Sequence, residues 1–172
     1  MSVFETRRMI LRELTPDDAP AMCALNRDPL VMRDMPVPED NSIDAERARL
    51  ARYVEGAYRT DGFGLWAAVL RASNRIIGRC GLLRQSVDGS DEIEMSYQIA
   101  SAFQGRGLAT EAASAIRDFA FQSLQLTRLI ALVPCDHPAS RRVAEKTGMR
   151  RERELVWRGK RIQLYAIARK RL

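Results

Sequence analysis

Three strand-like segments follow one another with no helix between them: FGLWAAVLR (63 to 71), NRIIGRCGLLR (74 to 84) and EIEMSYQIA (92 to 100). The turn signals ASN and SVDGSD separate them, which predicts an antiparallel meander. What comes next is equally restrictive. FQGRGLATEA, residues 103 to 112, sets two glycines around an arginine before a run in which Ala109, Ala112, Ala113, Ile116, Phe119 and Ala120 fall on one helical face.

Around this centre the pattern alternates. MILRE (9 to 13) predicts a first strand, and Thr15, Pro16 and Asp18 form a helix start with a capping-box pattern. DPLVMRDMPVPEDN, with three prolines, is expected to be a loop, and a second helix runs from Ser42 to about Tyr58. RLIALVP predicts a buried strand, Pro138 to Thr147 a short helix ended by Gly148, and MRRERELVW and RIQLYAIA two final strands. The order is mixed α/β. At 172 residues and 46% apolar the chain fits one compact domain over residues 1–172. No apolar run is long enough for a bilayer and MSVFETRRMILREL lacks a signal-peptide core, so the expectation is a soluble, cytoplasmic protein away from membranes. Cys23, Cys80 and Cys135 have neither disulfide-framework nor metal-site spacing, and reduced structural thiols are expected.

A net charge of +6 is unevenly spread. Residues 141–172 hold twelve Arg and Lys against three Glu, a local +9, while the first 140 residues are net −3. Such a tail suits nucleic acid, a ribosome surface or a phosphorylated ligand. Its charges alternate with apolar residues in RIQLYAIAR, as on a solvated strand face, and direct nucleic-acid binding is not expected.

The glycine turn points to phosphate. Gly105 and Gly107 permit conformations closed to other residues, and the amides that open the next helix have no internal partner. GxxxxGK with Ser or Thr is absent, and GxGxxG fails at Thr110. QxxGxA fits, as Gln104, Gly105, Arg106, Gly107, Leu108 and Ala109. A purely structural turn is the alternative.

In order and spacing, TRRMILRELTPDD, GLWAAVLRASNRIIGRCGL, MSYQIASAFQGRGLATEAA and HPASRRVAEKTGMRRE resemble the GNAT superfamily of acetyl-CoA-dependent N-acetyltransferases. The branch they are most similar to is that of the ribosomal-protein N-terminal acetyltransferases RimJ and RimL. This resemblance implies an α/β (α+β) fold: a mixed, mostly antiparallel, twisted sheet of about six to seven strands, about four flanking helices and a splayed strand pair. It further implies a coenzyme A pyrophosphate cradle from Gln104 through Thr110, with pantetheine pairing to the backbone at Gln98 and Ile99. Many members of the family dimerise, so a homodimer is open, although no heptad or interface stripe marks one.

Direct acetyl transfer from a thioester to an amine needs a base, stabilisation of a developing oxyanion and a donor for the departing thiolate. The resemblance assigns the base to Glu94, on the polar face of Glu92, Glu94, Ser96 and Gln98; Glu92 shares that face and remains a second candidate. Many family members carry a donor tyrosine where this chain has Ala144, and the Rim-type branch implies Ser140 instead. His137 stands where an asparagine usually touches pantetheine and is a candidate for that contact. Structural readings stand beside these: a solvated Glu94 and a helix-capping Ser140.

For the acceptor, residues 28–61 hold eight acids, which would suit a cationic amine: a protein N-terminus, as the branch implies, or a polyamine, amino acid or aminoglycoside. A solvated acidic surface explains them too. Trp66 and Trp157 either shape the cleft or fill the core. A non-catalytic cofactor-binding or nucleic-acid-binding module is the reading of a different class.

Overall fold

The computed structural model describes residues 2–169. Its strands are β1 (Ser2–Glu5), β2 (Met9–Glu13), β3 (Leu65–Leu70), β4 (Arg75–Val87), β5 (Ser90–Ile99), β6 (Arg128–Pro134), β7 (Arg150–Trp157) and β8 (Lys160–Ala168). The α-helices are α1 (Ala19–Asn26), α2 (Pro29–Met32), α3 (Ile43–Thr60), α4 (Leu108–Gln122) and α5 (Pro138–Lys146). All eight strands join one sheet in the order β1-β2-β3-β4-β5-β6-β8-β7. Neighbours are antiparallel except β5 and β6, which are parallel because α4 carries the chain back between them.

The meander is present, with Arg79 facing Ala67 on one side and Gln98 on the other. Strand alternation then sends β3 into two of the three apolar clusters. Trp66 and Ala68 join one, where α4 contributes Ala112, Ala113, Ile116 and Ala120, all without solvent exposure. Ala67 and Val69 join the other, beneath Met22, Leu25 and Leu50 of α1 and α3. Trp66 is thus a core residue, set edge-on to Phe4 and Phe119 at 5.3 and 5.6 Å.

The sheet has eight strands rather than six to seven, because SVFE forms the edge strand β1. A fifth helix, α2, lies inside the segment expected to be a loop. Its proline occupies the first helical position, where a missing N–H costs nothing, and the Asp28 side chain accepts from Leu30 N at 3.1 Å. The other Asp28 oxygen accepts from Ser101 N at 2.7 Å and pins this segment beside the end of β5. The start near Thr15 is a short 3-10 turn, Pro16–Asp18, leading into α1. Asp18 accepts from Thr15 N at 2.8 Å and from both Nη atoms of Arg12 at 2.7 Å. Those bonds outweigh its burial and hold its carboxyl below the usual carboxylate range.

Candidate active site

β5 and β6 share one registered pair, Glu94 opposite Ile130. Beyond it Tyr97 and Gln98 on one side, and Val133 and Pro134 on the other, line a cleft of about 700 Å³ instead of pairing. A second cavity of about 320 Å³ runs from the same gap to the glycine turn. Of the residues implied to meet the cofactor, Gln98, Ile99, Gln104, Gly105, Gly107, Leu108, Ala109, Thr110, His137 and Ser140 all line this second cavity. Arg106 does not: its guanidinium lies over the Phe103 ring at 5.6 Å, and its carbonyl accepts from Arg8 Nη1 at 2.8 Å.

Gly105 and Gly107 both hold left-handed backbone, with φ of 75° and 74°. Among the described residues, the N–H groups from Gly105 to Thr110 donate to no protein acceptor, and the first helical bond is Glu111 N to the Gly107 carbonyl at 3.0 Å. A row of free donors at a helix start fits a pyrophosphate. Arg142 and Lys146, one turn apart on α5, line the same cavity and add positive charge. Glu111 braces the turn from behind, accepting from Thr6 Oγ1 at 2.7 Å, Arg8 N at 2.8 Å and Arg8 Nε at 2.6 Å. Gln104 Nε2 donates to the Ile99 carbonyl at 2.8 Å, so this carbonyl, expected to meet pantetheine, already has a partner within the chain.

Glu94 and Ser140 both line the large cleft. Burial raises the Glu94 carboxyl above its ordinary range, against the opposing pull of a 2.7 Å hydrogen bond from Gln85 Nε2 and the charge of Arg158. Glu92 lies outside the cleft wall. Arg128 Nε holds it at 3.1 and 3.2 Å and also pairs with Glu152, so Glu92 is committed to an ion-pair network. Ala144 is fully buried in the core. His137 caps α5 and lines the cavity: its Nδ1 accepts from Ser140 N at 3.3 Å, which makes Nε2 the ring's N–H donor. It therefore meets the Ser140 backbone and not its hydroxyl.

Sequence reasoning missed Tyr97. The alternation of β5 places it on the core face with Met95 and Ile99, yet its hydroxyl reaches Ser140, 43 residues away. Burial pushes that phenol up to about 12, so it stays protonated as a donor. The polar tip of a tyrosine in an otherwise apolar row was the available signal. Trp157 lines the cleft, with Arg158 over its ring at 4.2 Å. Four of the eight acids of residues 28–61 are ion-paired: Glu46 with Arg49, Asp44 with Arg47, Asp61 with Arg84, and Asp34, which faces the cleft, with Lys160.

The splayed strands, the free-amide turn and the carboxylate in the cleft define an acyltransferase architecture. Residues 8–150 match the family described as Acetyltransferase (GNAT) domain, and the chain belongs to that family. Bacillus subtilis YkkB is 36% identical over 88 residues, a match spanning only about half (51%) of each chain. The uncharacterized N-acetyltransferase YoaA of the same organism is 27% identical over 150 residues, 87% of this chain and 84% of its own. A GnaT-family acetyltransferase from Bordetella pertussis is similar in structure, with a TM-score of 0.80 at 25% identity over 98% of this chain and 100% of that one. RimL, solved in complex with coenzyme A, shares the fold at 16% identity, with a TM-score of 0.77 over 98% of both chains.

Proposed function

We propose that the protein transfers an acetyl group from acetyl-CoA to a primary amine, and that the amine is a protein N-terminus. One observation carries the transfer: Tyr97, Gln98, His137 and Ser140 line both the cavity at the glycine turn and the cleft that holds Glu94. Acetyl-CoA supplies an activated thioester when bound. Gly105 through Thr110, with Arg142 and Lys146, would hold its phosphates, and His137 Nε2 would donate to the pantetheine arm. Glu94, its proton affinity raised by burial, takes a proton from the acceptor ammonium. Ser140 Oγ, beside the Tyr97 hydroxyl, supplies a hydrogen bond to the leaving sulfur.

For the acceptor, the protein N-terminus is supported by the fold shared with RimL, an alpha-N-protein acetyltransferase; on the cleft wall Glu94 is the carboxylate not paired with a lysine, since Asp34 is tied to Lys160. A small amine is the second reading. It is favoured by the ties of Arg33 to Asp136 and of Lys160 to Asp34, which link the segment around Asp34 to the far bank of the cleft.

The test begins with isothermal titration of acetyl-CoA into the wild type and Gly107→Trp, followed by coenzyme A release over N-terminal peptides and small amines. One-site binding lost in the variant and turnover of peptides support the proposal. Turnover of small amines alone transfers it to the second reading, and a folded wild type that binds no acetyl-CoA ends both.

A further inference from the structure

Beneath α3 and the segment from Met32 to Pro38 lies a separate cavity of about 210 Å³, which shares only Pro36 with the cleft of Glu94. Its polar lining is incompletely satisfied. Arg79 Nε donates to Gln98 Oε1 at 2.5 Å, but its Nη atoms find no acceptor among the described residues. Glu46 lies near enough for its charge to support the Arg79 cation against burial, yet the two form no ion pair. Instead Glu46 Oε2 takes Arg49 Nε and Nη2 at 2.8 and 2.6 Å, leaving Oε1 without a donor among the described residues.

Asn26 completes the polar lining. It is 3% exposed, and its Oδ1 is buried with no partner. Its orientation is fixed by a chain of bonds: Asn41 Nδ2 donates to the Cys23 carbonyl at 3.3 Å, so Asn41 presents Oδ1, and Asn26 must answer with Nδ2 at 3.4 Å. Asn26 Nδ2 also lies 3.4 Å from Glu46 Oε2, and turning the amide would set oxygen against two oxygens. The chamber thus offers unmet donors at Arg79 and unmet acceptors at Asn26 and Glu46, between apolar walls from Leu14, Leu50 and Leu65. Of these, Asn26 Oδ1 is the fully buried one, and a buried amide oxygen needs a partner.

We infer that this chamber binds a small zwitterion of the α-amino-acid class, its carboxylate on the Arg79 guanidinium, its ammonium on Asn26 Oδ1 and Glu46, and an aliphatic side chain against the leucines. A lone carboxylate would leave the acceptors unmet, and a lone amine the guanidinium. Because Arg79 also grips Gln98, the chamber is joined by one hydrogen bond to the wall of the cofactor gap.

The test is amide and arginine-side-chain NMR on the full chain, titrated with L-valine, L-leucine and L-methionine, and with leucinamide and N-acetyl-leucine as probes lacking one charge. The expected result is saturable shifts of the Asn26 side-chain amide and Arg79 Nε with at least one amino acid. Both capped probes, and the charge-conserving Arg79→Lys variant, should bind about tenfold or more weakly, because each loses a charge-assisted contact or the fork geometry. Asn26→Leu should weaken binding while leaving acetyl-CoA titration unchanged. Equal binding of a capped probe, shifts confined to the Glu94 cleft, or none at about 10 mM amino acid, an affinity below about 3 kcal/mol, overturns the inference. None of these readouts depends on acetyl transfer.

Discussion

The Tyr97 hydroxyl donates to the Ser140 carbonyl at 2.9 Å and stands 3.2 Å from the Ser140 hydroxyl, joining β5 to α5 across the splayed gap. The protonated phenol thus holds the Ser140 backbone and sets Oγ beside its own oxygen. Ser140→Ala is expected to lower kcat by about a hundredfold, at the lower end of the range for a positioned proton donor, and Tyr97→Phe, which acts through Ser140, by about tenfold. The double variant should be no slower than Ser140→Ala alone, because the two act as one unit. Additive losses in that cycle would separate them.

Glu94 carries a pH signature in stability as well as rate. Its folded pKa is raised above the ordinary 4.5, so ionisation disfavours the folded state as pH climbs from 4.5 through the raised value. Glu94→Gln removes that loss. The Tm of the variant should exceed wild type at pH 7.5 and converge with it toward pH 4, while kcat falls by about a hundredfold or more. Thermal unfolding across that range tests the sign, and a constant Tm gap would refute it.

At the glycine turn, Gly107 can be replaced by alanine without a steric clash, since an added Cβ would meet only Arg8 Nη2 at 3.5 Å. Its left-handed φ of 74° nevertheless costs a side-chain-bearing residue about 1–2 kcal/mol. Gly107→Ala should therefore unfold at a lower denaturant midpoint and bind coenzyme A more weakly. Gly56, a helical glycine without positive φ, is the control, and Gly56→Ala should be neutral or stabilising.

Arg142 and Lys146 are expected to act through charge on the phosphates. Replacing both with alanine should raise KM for acetyl-CoA by about tenfold, change kcat by less than about twofold, and reduce the salt dependence of KM. A kcat effect equal to the KM effect would place them elsewhere in the reaction.

Asp18 is an anchor remote from the cleft. Its side chain is 7% exposed and held by both Nη atoms of Arg12. Asp18→Asn should cost about 2–3 kcal/mol at neutral pH by equilibrium denaturation, as expected for hydrogen bonds to a charged group. Because its pKa is depressed in the folded state, wild type should lose the advantage as pH falls below the ordinary 3.8 through the lower folded value.

What the sequence disclosed and what it hid follow from the range of each interaction. The meander, α4 and the two left-handed glycines are local features, set by strand alternation, turn residues and a row of alanines on one helical face. The short edge strand at Ser2–Glu5 carries too few residues to show a period, and α2 is hidden because its proline is equally at home in a loop. At the site, the resemblance led to Glu94 and Ser140, which the fold brings to one cleft. Glu92, two residues from Glu94 on the same face, differs only because Arg128 claims it, and that pairing spans 36 residues. The Tyr97–Ser140 contact likewise arises only when β5 and α5 come together, and no spacing in the chain announces it.

The single registered pair between β5 and β6 bears on how the chain reaches this state. From β1 to β5 every strand pairs with its neighbour in the chain, so half the molecule can assemble by successive closures while the rest is still being synthesised. The later strands obey a different rule, since β6 must wait for β8 and leaves β7 at the far edge. The gap between Tyr97 and Val133 therefore lies between a block of sequential strand pairings and a block built on a crossover, and the candidate cleft is complete only when both are in place.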